Sequence, residues 1–265
     1  MLKEKSNEII APSPLTGRSE AIKVDALALS HRELNAKLRG LVSNGAQRIE
    51  LHNVYGQRYI GTDLDKTVEI EIFGTPGNDL GAFMDGPRII VHGNAQDGCG
   101  NTMNNGEIII HGHGGDILGL SARGGKIFVR EDVGYRAGIH MKEYQDKRPI
   151  VVIGGTAQDF LGEYMAGGIL VLLGLNLKEG ERHKANFIGT GMHGGTIYMR
   201  GAVQEFQLGK EVGVAELDEN DHLVLKEIIG EFTSHFDYAA EEILKYKFTK
   251  LFPLYLRPYG RLYAY

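Results

Sequence analysis

Arg88 to Gly106 reads RIIVHGNAQDGCGNTMNNG, and Glu107 to Gly125 reads EIIIHGHGGDILGLSARGG. Laid over one another, Ile89, Val91, Gly93, Asp97, Gly100 and Gly106 fall on Ile108, Ile110, Gly112, Asp116, Gly119 and Gly125. The pattern runs back to VEIEIFGTPGNDLGAFMDG from Val68. It runs forward through KIFVRED at Lys126, PIVVIGGTAQDFLGEYMAGG at Pro149 and ILVLLG, to TIYMRG at Thr196. Polar residues near 143–148 and 176–184 read as insertions looping out of a stacked coil. A unit of about 19 residues with one β-rich run is too short for a strand, a substantial helix and both turns. The sequence therefore predicts an all-β core, a right-handed parallel β-helix of about seven coils. The leucine and asparagine spacing of leucine-rich repeats is absent.

Strand alternation assigns faces. Ile70, Ile89, Ile108, Ile127, Ile150, Leu170 and Ile197 form one expected inward row, and Ile72, Val91, Ile110, Val129, Val152, Leu172 and Met199 a second. Gly81, Gly100, Gly119, Gly138 and Gly162 fall where each coil turns, and a column of Met84, Met103, Met141, Met165 and Met192 reads as core filling. The opposite face carries Glu71, Ile90, Ile109, Phe128, Val151, Val171 and Tyr198. Monomers rarely leave such an apolar stripe open. Its coverage by the chain's own termini or by another chain is the main interaction clue, and Ile90, Ile109, Phe128, Val151, Val171 and Tyr198 are the candidate partner interface.

The flanks lack the repeat. Residues 1–46 read as a segment with one amphipathic helix from about Ser30 to Ser43, opened by the capping box Ser30-His-Arg-Glu33. The repeats occupy 47–203. Residues 204–265 read as two helices, about Asp221–His235 with Leu223, Ile228, Ile229 and Phe232, then Tyr238–Leu251, followed by an extended end broken by Pro253 and Pro258. These pieces are expected to cap the solenoid.

Composition narrows the chemistry. Glycine supplies 37 of 265 residues with only 7 prolines, which is neither collagen nor low complexity. A net charge of −5 gives no general pull toward nucleic acid or anionic lipid. Cys99 is the single cysteine, so no intrachain disulfide or cysteine-ligated cluster can form. Met1 to Ala11 lacks the apolar run of a signal peptide, and a cytoplasmic location is expected.

His92 and His111 should stack on adjacent coils, but their column continues as Arg130, Ile153 and Leu173, so surface lining is expected over metal binding. Asp97, Asp116 and Asp159 precede coil glycines, and hydrogen bonding to the local turn explains them better than calcium or catalysis. Gly189-Thr-Gly191-Met-His-Gly194 precedes a strand where a dinucleotide fingerprint would open a helix. No catalytic, cofactor-binding or metal-binding residue is assigned. A free-standing hydrolase using turn carboxylates or histidines is the lesser alternative.

The coil signature, a glycine-terminated strand followed by Asp-x-x-Gly-x-x-Met-x-x-Gly, resembles the glycine-repeat β-helix domain at the carboxyl end of glutamate synthase large subunits, notably its separately encoded form. Arg48–Leu64 (RIELHNVYGQRYIGTDL) and Arg257–Tyr265 (RPYGRLYAY) are similar to that form. The resemblance implies a scaffold in nitrogen metabolism that holds glutaminase and synthase chains together, with FMN and iron–sulfur clusters on those partners and none on this chain. The β-helix subunit of formylmethanofuran dehydrogenase and related formyltransferase/hydrolase complexes is the alternative scaffold. Arg58 and Tyr59, in the lead-in Gly56-Gln-Arg-Tyr-Ile-Gly61, join the stripe as candidate partner contacts, and a homo-oligomer stays open.

Overall fold

The computed structural model describes residues 20–178 and 180–255. The strands are β1 (Ile22–Asp25), β2 (Arg48–Tyr55), β3 (Glu69–Thr75), β4 (Asp85–Val91), β5 (Asn105–Ile110), β6 (Lys126–Val129), β7 (Ile150–Ile153), β8 (Ala166–Leu172), β9 (Gly194–Arg200), β10 (Val212–Ala215) and β11 (Phe248–Pro253). The helices are α1 (His31–Ser43), α2 (Glu219–His235) and α3 (Ala240–Leu244). All strands join one sheet in the order β1-β2-β3-β4-β5-β6-β7-β8-β9-β11-β10. Every pair from β1 to β9 is parallel. This is the parallel β-helix expected from the repeats.

The interior is apolar. Ile70, Ile89, Ile108, Ile127, Leu170 and Ile197 are buried in one cluster with Ile72, Val91, Ile110, Val129, Leu172, Met199 and the methionine column. At Gly162 (φ +66) an added Cβ would lie 2.7 Å from Ile197 Cδ1, so the corner glycine answers both a left-handed backbone and close packing. The flanking corner residues share that conformation without being glycine, among them Ile117, Arg136, Phe160 and Phe187. Each such residue costs roughly 1–2 kcal/mol in the left-handed region. Their N–H groups reach the next coil, as Arg136 does to the Asp159 carbonyl at 3.0 Å and Phe160 to Asn186 at 2.9 Å.

One strand, β7, is shifted by a residue in all three of the expected rows. Val151 pairs with Ile127 and Leu170, and Val152 with Phe128 and Val171. Val151 and Ile153 therefore fill the interior, while Ile150 and Val152 face outward. Gly155 sits against the preceding coil, where a Cβ would come within 2.8 Å of the Asp132 backbone nitrogen. Consequently Gly154, and not Ile153, follows Arg130 in the histidine column.

The tail also departs from expectation. Phe248–Pro253 is a strand, antiparallel to β9 and to β10, where the sequence pattern suggested helix through Leu251. β9 offers an open row of backbone groups at the end of the solenoid, and a strand satisfies them as a helix cannot. Leu223 is 67% exposed, and Leu225 takes the buried place on α2. At the other end, Leu34, Leu38 and Val42 of α1 enter the main core, and Ser30 caps the helix with the expected capping box. Pro258 and the segment from Arg257 lie outside the described residues.

Candidate functional site

The outer face of the sheet is built from two columns. One runs Arg48, Glu69, Arg88, Glu107 and Lys126 in register and then turns apolar with Ile150 and Ile169. The other runs Glu50, Glu71, Ile90, Ile109, Phe128, Val152, Val171 and Tyr198. The face is thus charged over the first coils and apolar over the later ones.

The apolar half is covered by the chain itself. Ile109, Phe128, Val152, Val171 and Tyr198 form a second core with Leu225, Ile228, Ile229 and Phe232 of α2, and with Phe236, Ile243 and Phe248. Ile90 is partly buried at its border. This corrects the expected partner interface. Ile109, Phe128, Val171 and Tyr198 are buried under α2, and Val151 lies inside the solenoid, so none of them is an open docking surface.

Polar contacts pin both ends of α2. The Tyr198 hydroxyl donates to Asp221 Oδ1 at 2.6 Å, and Lys250 Nζ donates to Asp221 Oδ2 at 2.7 Å. Burial works against the Asp221 carboxylate, but Lys250, Tyr198 and the Asp218 backbone outweigh it and hold the carboxyl below its usual range. At the other end Lys126 Nζ meets Glu231 at 2.6 Å, and His235 Nε2 lies 3.3 Å from Glu107. Burial would raise Glu107 as well, yet His235 and Arg88 keep its carboxyl low.

Glu107, Glu231 and His235 bring three ligand-type atoms within 4.8 Å of one another. Arg88 holds Glu107 at 2.6 Å and Lys126 holds Glu231, so this cluster is already charge-neutralised by protein cations. It reads as a clamp on α2. The charge ladder continues with Arg88 on Glu69 at 2.7 Å and Arg48 on Glu71 at 2.6 Å.

Beside it stands an aromatic column that the sequence showed only in part. His52, Phe73, His92 and His111 stack at 4.7, 4.5 and 5.5 Å between ring centroids, and His111 meets the edge of Phe236 at 5.2 Å. His92 and His111 stack as expected, and His92 Nε2 lies 3.0 Å from Glu71 Oε2. The coil aspartates also bond differently from expectation. Asp97 Oδ1 accepts from Asp116 N–H at 2.9 Å, and Asp116 Oδ1 from Tyr135 N–H at 2.8 Å, each one coil onward. They tie coils together instead of closing their own turns.

Arg58 and Tyr59 are exposed in the turn after β2, where the Arg58 carbonyl accepts from Asn35 Nδ2 of α1 at 2.8 Å. Cys99 is fully buried, and burial with the nearby Asp97 and Asp79 pushes its thiol up to about 12. A lone buried thiol fits neither nucleophile nor cluster ligand. Two surface depressions, one beside Glu216 and Lys247 and one beside Ser30 and Arg58, have volumes of about 120 and 260 Å³, small beside ordinary cofactor pockets. No helix among the described residues is long and apolar enough to cross a membrane.

A family model described as the GXGXG motif matches residues 42–257. An uncharacterized protein of Methanocaldococcus jannaschii is 50% identical over 253 residues, covering 92% of this chain and 97% of the relative.

Proposed function

Because the chain belongs to the GXGXG-motif family, which includes the glycine-repeat domain at the carboxyl end of glutamate synthases, we propose that it is a non-catalytic structural module of a glutamate synthase-type assembly. In that assembly partner chains carry the chemistry. A glutaminase releases ammonia from glutamine, and an FMN and iron–sulfur synthase adds it reductively to 2-oxoglutarate. The chain's own contribution is a rigid wall against which those modules pack.

The observation that carries this reading is the solenoid itself. Among the described residues its interior is packed with buried apolar side chains from the first coil to the last. Coil-to-coil hydrogen bonds at backbone and aspartate alike stiffen it. A stack of coils tied in this way suits a spacer between catalytic modules.

The test is purification of the tagged full chain from its native cells, with mass spectrometry of what accompanies it. Co-purification of a glutaminase together with an FMN and iron–sulfur chain is the expected result. Recovery of a molybdenum or tungsten enzyme, or of a formyltransferase chain, would move the scaffold to the formylmethanofuran-type assembly. Turnover of glutamine by the isolated chain would overturn both.

A further inference from the structure

The insertion at 176–184 leaves the solenoid after β8 and is fastened back to it through one buried side chain. Lys178, Glu181, Arg182 and Lys184 are exposed, whereas His183, between the last two, is only 3% exposed. The imidazole lies against Gly174 (φ +55), where an added Cβ would come within 2.5 Å of His183 Cε1. Gln207 holds the backbone at this point, its Nε2 donating to the His183 carbonyl at 2.9 Å and to the Ala185 carbonyl at 2.8 Å.

Hydrogen bonding sets the protonation state of this ring. His183 Nε2 lies 3.0 Å from the Arg200 carbonyl, and a carbonyl only accepts, so Nε2 carries the proton. Nδ1 is then a bare lone pair, buried and without a hydrogen-bond partner among the described residues. Charging the ring would place a second N–H there with no protein acceptor to take it, and a buried unpaired donor is costly.

The charged neighbours oppose protonation as well. From the end of β9 the Arg200 guanidinium bonds the Leu173 and Gly174 carbonyls and lies 4.4 Å over the Tyr246 ring. Arg182 and Lys184 adjoin His183 in the chain, Gln207 brings an uncharged amide, and no carboxylate pairs with the ring among the described residues. Burial pushes the imidazole below its ordinary value, the Arg200 carbonyl partly offsets this, and the Arg200 charge adds to it. We propose that His183 is a proton-sensitive latch, which pins the 176–184 insertion to the last coil when neutral and releases it when protonated. A histidine lowered in the closed state stabilises that state above its free value, about 6.5, and loses the contribution as pH falls toward the lowered one. The latch is therefore closed at neutral pH and loosens in mild acid, above the range in which carboxylates titrate.

Two measurements on the full chain test it. Long-range proton–nitrogen NMR of the histidine rings should show His183 as the Nε2–H tautomer at neutral pH, titrating below about 6.5. Hydrogen exchange read by mass spectrometry, corrected for the intrinsic effect of pH, follows opening of the insertion. Each pH unit below about 6.5 can raise the open fraction up to about tenfold, so at least about a fivefold rise is expected between about pH 7.5 and 5. The amides of β6, inside the stack, should keep their rate. His183→Gln can still donate to the Arg200 carbonyl but gains no proton, and its insertion should stay closed at both pH values. If that variant folds poorly, the tautomer and titration of the parent decide. An Nδ1–H tautomer, a His183 titration at or above about 6.5, no rise in the parent, or an equal rise in folded His183→Gln would overturn the latch.

Discussion

The Tyr198 hydroxyl, from the last parallel strand, reaches Asp221 Oδ1 in the first turn of α2 at 2.6 Å, and both residues are buried. Asp221 also closes the capping box with Asp218, so a single carboxylate joins the helix start to the solenoid. Tyr198→Phe removes a hydrogen bond to a charged group in a dry setting and is expected to cost about 1.5–3 kcal/mol. Urea unfolding monitored by circular dichroism measures it. A loss below about 0.5 kcal/mol would show that Lys250 and the Asp218 N–H hold the carboxylate without the tyrosine.

The two leucines near the start of α2 separate its faces. Leu225→Ala should cost about 2–5 kcal/mol as a buried truncation, and Leu223→Ala should stay within about 0.5 kcal/mol. Equal costs would mean that the helix is rotated about its axis.

Glycine positions divide in the same manner. Gly155→Ala drives a methyl against the Asp132 backbone, so a loss of about 1–3 kcal/mol is expected. Gly40 lies in α1 with nothing within 4 Å of an added Cβ, and Gly40→Ala should stabilise by about 0.8–1 kcal/mol. Thermal melts of both variants against the parent check the contrast.

Acid should loosen the α2 clamp. Asp221 and Glu107 both have carboxyls held below their ordinary values in the folded chain, despite burial. A depressed folded pKa supplies stability above the unfolded value, near 4, which is lost as pH falls through the folded one. The urea midpoint should therefore drop as pH falls below about 4, and the drop should be shallower in Asp221→Asn. An unchanged slope in that variant would remove Asp221 from the account.

Cys99 offers a probe of the interior. Its thiol, pushed up to about 12 and fully buried, should not react with a disulfide reagent at pH 8 until the chain unfolds. Rapid labelling of the native protein would contradict the packed solenoid.

Much of this architecture was legible because the repeat is written in residues that geometry demands. The corner glycines and the alternating isoleucines gave the coil, the inward rows and the methionine column. The register of β7 was not legible: Ile150–Ile153 is apolar throughout, with no polar residue to mark a face. The stripe itself was visible, but its cover was not, since α2 contacts it across long sequence separation. The strand nature of Phe248–Pro253 depends on the open edge of β9, which is a tertiary fact.

The central claim is that this chain organises chemistry done by others. The most direct measurement is glutamine-dependent glutamate formation from 2-oxoglutarate by the purified native assembly, compared with the same assembly stripped of this chain and with the chain alone. The account predicts no turnover by the chain alone, loss of coupled glutamate formation on its removal, and recovery when it is added back. Full coupled activity without the chain, or turnover by the chain in isolation, would contradict it.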